Sequence, residues 1–275
     1  MINISAYKFT PLTDLTALRQ RLLEVSAVTA LKGTILLSPE GINFCVAGTR
    51  SNTERFLNEV RSVPGLNDLP IKESESEEQP FNRMLVKIKK QIIAFGIAGI
   101  DPARRPTRKI DAATLKEWLD EGRPVTLLDA RNEYEIRMGT FRGAIAAGIG
   151  HFREFPDAVG KMPETLKDQA IVTFCTGGIR CEKAGPFLEH AGFKNVFQLD
   201  GGILRYFEEC GDAYYDGECF VFDRRVGVDP QLRETKSVLC FSCQTPLKEE
   251  EQRDARYVPD VSCPHCFGTV NRHAI

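Results

Sequence analysis

The stretch Ile171-Val172-Thr173-Phe174-Cys175-Thr176-Gly177-Gly178-Ile179-Arg180 decides the fold of the larger part of this 275-residue chain. Ile171 to Phe174 is a short continuous apolar run, the pattern of a strand buried on both faces, and a cysteine follows it directly. Ala184, Phe187, Leu188 and Ala191 then recur at helical spacing. The chain must therefore turn just after Cys175, which puts the sulfur near a helix N-terminus. Successive backbone N–H groups from Thr176 through Ile179 to Arg180 can surround an anion there, and Gly177 and Gly178 permit the tight path. Such a nest favours thiolate over thiol, one unit of pKa depression corresponding to about 1.36 kcal/mol.

Outward from this stretch, Val125 to Leu128 reads as a second buried strand, and Val196 to Leu199 precedes a helix beginning near Gly202. Together these describe an α/β domain with a mainly parallel sheet, in which ligands sit beyond the carboxyl ends of the strands. A helix after Asp111 carries Leu115, Trp118 and Leu119 on one face and stops at Gly122. Towards the N-terminus, Leu15, Leu18, Leu22 and Val25 mark a helix, and Lys32–Ser38 and Ile42–Ala47 two strands turned at Pro39-Glu40-Gly41. Ser51 and Glu54 form a capping-box pattern ahead of Phe56, Leu57 and Val60. Strands at Ser5–Phe9 and Met84–Ile93 complete a β-α-β-β-α-β order, the ferredoxin-like α+β arrangement. The acidic run Glu73, Glu75, Glu77 and Glu78 reads as an exposed connection, and the proline- and arginine-rich Asp101–Lys109 as a linker.

With 42% hydrophobic and 27% charged residues, the composition excludes disordered and fibrous classes. No apolar run approaches the roughly 20 residues that cross a bilayer. Met1 to Thr10 lacks a secretory-signal pattern, so a cytoplasmic location and reduced thiols are expected for the nine cysteines. A net charge of -2 gives no global indication of nucleic-acid binding, so local patches must carry that question.

The loop Cys175 to Arg180 resembles the active-site loop of rhodaneses, and Asp129-Ala130-Arg131, Gly143-Ala144-Ile145 and Asp200-Gly201-Gly202 strengthen the likeness. The resemblance implies that Cys175 is a persulfide carrier, that backbone groups from Thr176 through Gly177, Gly178 and Ile179 to Arg180 cradle the sulfur, and that Arg180 adds positive potential or organises the loop. Arg131 would join or brace the same pocket. Cys181 either packs in the core or acts as a second thiol, resolving an oxidised Cys175 or relaying sulfur. Tyr7-Lys8-Phe9, Pro39-Glu40-Gly41-Ile42-Asn43, Phe141-Arg142-Gly143-Ala144 and Cys175 to Lys183 extend the match to most of the chain. They resemble the bacterial tRNA uridine hydroxylase family of rhodanese-domain proteins.

That resemblance implies oxygen-dependent formation of 5-hydroxyuridine at the wobble position of the tRNA anticodon, with molecular oxygen as cosubstrate. No flavin, haem or nicotinamide motif is evident. Sulfur attack on the pyrimidine ring and oxygen activation by a sulfur species are both open routes. The expected organisation is a ferredoxin-like domain over 1–98, a linker and leading helix over 99–122, a rhodanese domain over 123–215 and a cysteine-rich tail over 216–275. A thiosulfate or persulfide sulfurtransferase and a noncatalytic RNA-binding scaffold are the competing readings.

From Arg83 to Lys109 there are eight basic residues against Asp101 alone. Lys87 and Lys89 on a strand, with Arg104, Arg105, Arg108 and Lys109 in the linker, form a candidate phosphate track for tRNA. Asn43 either orients RNA or makes a turn hydrogen bond; Phe152 and Phe155 suit core packing better than a substrate wall; His151 is a weak acid-base candidate. In the tail, Cys240, Cys243, Cys263 and Cys266 form two pairs of two-residue spacing with 19 residues between them. This is the pattern of a structural zinc ribbon. His265 and His273 are alternative ligands, with exposure or an outer contact favoured for His265.

Overall fold

The computed structural model describes residues 1–268, which leaves His273 outside the described residues. The chain divides into two units, Met1–Thr107 and Arg108–Ile275. No helix among the described residues is long and apolar enough to cross a membrane.

In the first unit the elements are β1 (Ile2–Phe9), α1 (Leu15–Val28), β2 (Lys32–Ser38), β3 (Gly41–Gly48), α2 (Arg50–Arg61), β4 (Lys72–Glu75) and β5 (Met84–Ile88). Their sheet has the order β4-β1-β3-β2-β5, the first four strands being antiparallel neighbours and β5 running parallel to β2. The ferredoxin-like arrangement is therefore present, but its fourth strand is the acidic segment that the sequence suggested was a connection. Lys72, Glu73, Ser74 and Glu75 alternate between half-buried and exposed on an edge strand, where charges are tolerated because one side of the ladder meets solvent. Met84–Ile88 is an addition at the opposite edge. It ends short of Ile93 because side chains take over from the ladder: Ser38 Oγ donates to the Lys90 carbonyl, and Glu40 Oε1 accepts the Ile92 N–H at 2.8 Å. Asn43 Nδ2 donates to the Ile92 carbonyl at 3.2 Å, so this residue makes the structural hydrogen bond.

The cap of α2 also differs from expectation. Thr49, not Ser51, is the N-cap, and its hydroxyl accepts from the Asn52 N–H at 3.4 Å. Gly41 holds φ +147°, and a Cβ there would lie 2.0 Å from the Lys8 carbonyl oxygen, so only glycine lets β3 start this close to β1. The core between helices and sheet contains Ile4, Leu22, Ile35, Leu37, Phe44, Val46, Phe56 and Val60.

The second unit begins with β6 (Arg108–Ile110), α3 (Ala112–Asp120), β7 (Val125–Asp129), α4 (Glu133–Ile136), β8 (Gly139–Phe141), β9 (Ile145–Ala146) and α5 (Phe155–Val159). It continues with β10 (Ala170–Phe174), α6 (Ile179–His190), β11 (Asn195–Leu199) and α7 (Gly202–Cys210). The five-stranded sheet β6-β11-β10-β7-β9 is parallel throughout. Thus the end of the expected linker is an edge strand. Arg108 lays its guanidinium over the Phe197 ring at 4.4 Å, and Lys109 pairs with Glu182 at 3.0 Å and Asp200 at 3.4 Å. Both cations are engaged within this unit.

The chain then forms β12 (Tyr215–Gly217), paired with β8, and β13 (Cys219–Phe220), paired with β14 (Gly227–Val228). Phe141 joins these pieces: its ring meets Phe174, Tyr206 and Tyr215 edge-on at 4.9, 4.7 and 5.2 Å. Cys219, Val221 and Val228 share this core, so the chain from Tyr215 to Val228 belongs to the same packed body. A last hairpin, β15 (Val238–Leu239) with β16 (Pro246–Leu247), carries the first cysteine pair in its turn.

Candidate active site and metal centre

Cys175 stands one residue beyond the carboxyl end of β10 and is fully buried. Gly178, with φ 97°, is the N-cap of α6, and its N–H donates to Cys175 Sγ at 3.1 Å. The loop is fastened from behind by α7: the Ile203 and Leu204 N–H groups donate to the Cys175 and Thr176 carbonyls at 3.0 and 3.1 Å. This close approach explains Gly202, where a Cβ would come within 2.3 Å of the Cys175 oxygen. Of residues 175–180, Gly177 and Ile179 alone are partly exposed.

Burial by itself raises the Cys175 thiol. The Cys181 thiol, the Arg180 guanidinium and the N–H groups of Arg180 and Cys181 outweigh burial and bring it down to about 5. Cys181 is pushed the other way, well above the ordinary thiol range, by its own burial and by the neighbouring Cys175. It therefore stays protonated and donates to the Cys175 sulfur. The two thiols are brought together, and their roles in the pair are unequal.

Arg180 is held by a partner that sequence reasoning missed. Glu135, fully buried, accepts from Arg180 Nη1 at 2.5 Å and Nη2 at 2.7 Å in a two-pronged pair. Glu135 also accepts the Asn132 N–H at 3.1 Å, and Thr176 Oγ1 lies 3.4 Å from it. The Asn132-to-Glu135 spacing is a capping pattern and was the available signal. Arg131 is fully buried too, but it faces elsewhere: its guanidinium pairs with Asp129 at 2.7 Å and donates to the Gly139 carbonyl at 2.7 Å. It ties β7 to β8.

Phe155 is fully buried and Phe152 nearly so, their rings 5.6 Å apart, which makes them core residues and no substrate wall. His151 is exposed. In the first unit Lys87, Lys89, Arg104 and Arg105 are all exposed, with Arg104 3.6 Å from Asp101. A concavity of about 570 Å³ lined by Glu250, Arg253, Arg256 and His265 lies on the tail. Another of the same volume, lined by Pro124, Thr126, Asp168 and Gln169, lies at the amino ends of β7 and β10. Neither includes Cys175, and the sheet's carboxyl end remains the site by its chemistry.

In the tail, the sulfurs of Cys240, Cys243, Cys263 and Cys266 all lie within 4.8 Å of one another. The close pairs are 3.6, 3.7 and 3.9 Å. Zinc–thiolate bonds of about 2.3 Å in a tetrahedron put sulfurs about 3.8 Å apart, so the cluster has the dimensions of a four-thiolate metal site. His265 is outside it: Nδ1 lies 3.1 Å from Arg137 Nη1 and Nε2 lies 2.6 Å from Glu251.

A family model described as a UPF0176 acylphosphatase like domain matches residues 1–92, and one described as a rhodanese-like domain matches residues 111–209. Over its full length the chain is 45% identical to the tRNA uridine(34) hydroxylase of Cupriavidus metallidurans, covering 99% of that protein. It is 46% identical to the protein of the same name from Paraburkholderia xenovorans, with 97% of this chain and 96% of that one covered. The chain belongs to the tRNA uridine(34) hydroxylase family. The protein of that name from Ralstonia nicotianae is 45% identical over 97% of this chain and 96% of its own. Membership in the tRNA uridine(34) hydroxylase family thus accounts for both units and not only for the rhodanese-like one.

Proposed function

We propose that this chain hydroxylates uridine 34 of tRNA, the wobble base of the anticodon, to 5-hydroxyuridine, with molecular oxygen as cosubstrate and Cys175 as the reactive thiol. The observation that carries the reading is the Cys175 loop, in which a buried sulfur accepts the Gly178 N–H at 3.1 Å and neighbouring donors bring its thiol down to about 5. An anionic sulfur in a low-dielectric site is the nucleophilic form of cysteine. The full-length likeness to proteins named for this reaction supports the substrate.

In this reading the N–H groups of Gly178, Arg180 and Cys181 stabilise negative charge on sulfur, and Arg180 adds a guanidinium whose direction Glu135 sets. Thr176, Gly177 and Ile179 form the rim, Arg131 braces the loop's surroundings, and Lys87, Lys89, Arg104 and Arg105 meet tRNA phosphates. The cysteine cluster holds a structural zinc that folds the tail, and cysteines that form no disulfide among the described residues suit a cytoplasmic setting.

Purified protein incubated with unmodified tRNA in air should yield 5-hydroxyuridine by nucleoside mass spectrometry, and far less without oxygen. The Cys175→Ser variant should yield none. Uptake of sulfane sulfur from thiosulfate without any 5-hydroxyuridine would replace this reading with that of a sulfurtransferase.

A further inference from the structure

One exposed aromatic ring lies against the cysteine loop. Phe220 ends β13; its carbonyl accepts from Thr176 Oγ1 at 3.4 Å, and its ring meets Tyr134 edge-on at 5.4 Å. This strand is therefore bonded to the loop that carries Cys175. Phe222 follows two residues later and is 62% exposed. Its ring stands edge-on to Phe220 at 5.0 Å, and the Arg180 guanidinium carbon lies 5.8 Å from its centroid.

A lone exposed phenylalanine needs no explanation. Phe222 differs because the turn that displays it is cross-braced by hydrogen bonds and a buried ion pair. Val221 N–H donates to the Val226 carbonyl at 2.9 Å, and Val226 N–H donates to the Asp223 carbonyl at 3.1 Å. Arg225 grips Asp223 through Nε at 2.9 Å and Nη2 at 2.6 Å, the two side chains being 7% and 2% exposed. Val226 takes φ 61°, an unfavourable value for a β-branched residue that its surroundings must hold in place. Such a turn fixes where the ring sits. The ring also neighbours Arg180, whose guanidinium acts on the Cys175 sulfur.

We infer that Phe222 is the stacking platform on which the target uracil lays its face, placing the base beside Arg180 and the Cys175 loop. The inference rests on the tRNA-uridine reading above and names the residue that positions its substrate. A base that reacts must leave its stack, and the replacement it needs is an apolar face beside the reacting group. Phe222 offers such a face, and stacking on an aromatic ring tolerates any base, so this contact positions the base without selecting uracil.

The test uses the full chain with an anticodon stem-loop RNA bearing uridine at the wobble position. Stacking of one base, about 1–3 kcal/mol, converts to a rise in KM of about 5- to 150-fold for Phe222→Ala. Phe222→Leu, which keeps the apolar bulk without a π face, should show a similar rise, and Phe222→Trp should restore KM. Because the side chain is exposed, folding of all three variants should match wild type by circular dichroism. The Phe222→Trp fluorescence should be quenched by the uridine RNA and much less by the same RNA with an abasic wobble site. Unchanged KM in Phe222→Ala, a loss confined to kcat, or equal quenching by both RNAs would overturn the inference. A wild-type protein that makes no 5-hydroxyuridine would instead remove the functional reading, while the quenching comparison would still decide whether a base stacks on this ring.

Discussion

Two groups of buried sulfur lie in the same unit and solve opposite problems. Around Cys175 the neighbours are donors: backbone N–H groups, a protonated thiol and a guanidinium. Around Cys240, Cys243, Cys263 and Cys266 each sulfur has three other sulfurs within 4.8 Å, besides donors such as the Cys263 N–H on Cys266 Sγ at 3.3 Å. The first arrangement stabilises one anion through hydrogen-bond donors and a guanidinium, which favour the nucleophilic form of the sulfur. The second would gather mutually repelling anions, and a dication is what makes it favourable, at the expense of the sulfurs' nucleophilicity. Spacing alone hints at the difference, since the tail pairs its cysteines and the loop surrounds one cysteine with glycine and arginine.

The sharpest way to break this comparison is to exchange serine for cysteine in each place. Cys175→Ser should lower 5-hydroxyuridine formation at least about a thousandfold, the scale of losing a nucleophile, with metal content intact. Cys240→Ser and Cys263→Ser should instead each abolish near-stoichiometric zinc in elemental analysis and open the tail to protease; a metal-free wild type with a protease-resistant tail would remove the metal half of the contrast. Glu135→Ala tests how far the loop relies on its buried ion pair. Leaving the Arg180 charge buried and unpaired should destabilise the protein by about 3–5 kcal/mol in denaturant unfolding. A shift within about 0.5 kcal/mol would mean that water or another group replaces Glu135.

The pH response separates the two sites further. Lowering the Cys175 pKa to about 5 means that the thiolate is fully formed at neutrality and is lost as pH falls through 5. Its alkylation rate, read by peptide mass spectrometry, should be level from about pH 7 to 9, where an ordinary cysteine near 8.5 still climbs steeply. A profile rising to a midpoint above 8 would contradict the donor arrangement. The smallest effect is expected at the exposed cations of the first unit. Arg104→Glu with Arg105→Glu should weaken tRNA binding and reduce the salt slope of log K by about 0.7–0.9 for each phosphate that the protein no longer neutralises. An unchanged slope would take these residues out of the interface.

The parts of the molecule that were legible in sequence are those whose signal is local. Cys175, its glycines and the following helix lie within one strand-turn-helix stretch, and the paired cysteines advertise their own spacing. Glu135 was not legible because its bond to Arg180 crosses 45 residues, and nothing near it in sequence names the partner. The acidic fourth strand was hidden by composition: on an edge, Glu73 and Glu75 satisfy solvent and ladder together, so charge pattern and strand pattern coincide. The strand Arg108–Ile110 is three residues long and basic, so the linker reading absorbed it until parallel pairing with β11 revealed it. Thr49 displaced Ser51 as helix cap because helix boundaries are the least constrained part of a periodic pattern.

A cysteine that is anionic at neutral pH is also the form that peroxides and mixed disulfides attack. Cys175 is such a group, yet none of its surface meets solvent. Damage must therefore wait for the Thr176–Ile179 segment to part, and each 1.4 kcal/mol or so of opening free energy lengthens the wait tenfold. The latch is the contact between that segment and the start of α7, where Gly202 lets two backbones touch. Gly202 is thus tied to the protection of a sulfur through the closeness of two backbones, since a Cβ there would press on the Cys175 and Thr176 carbonyl oxygens and the Gly178 nitrogen.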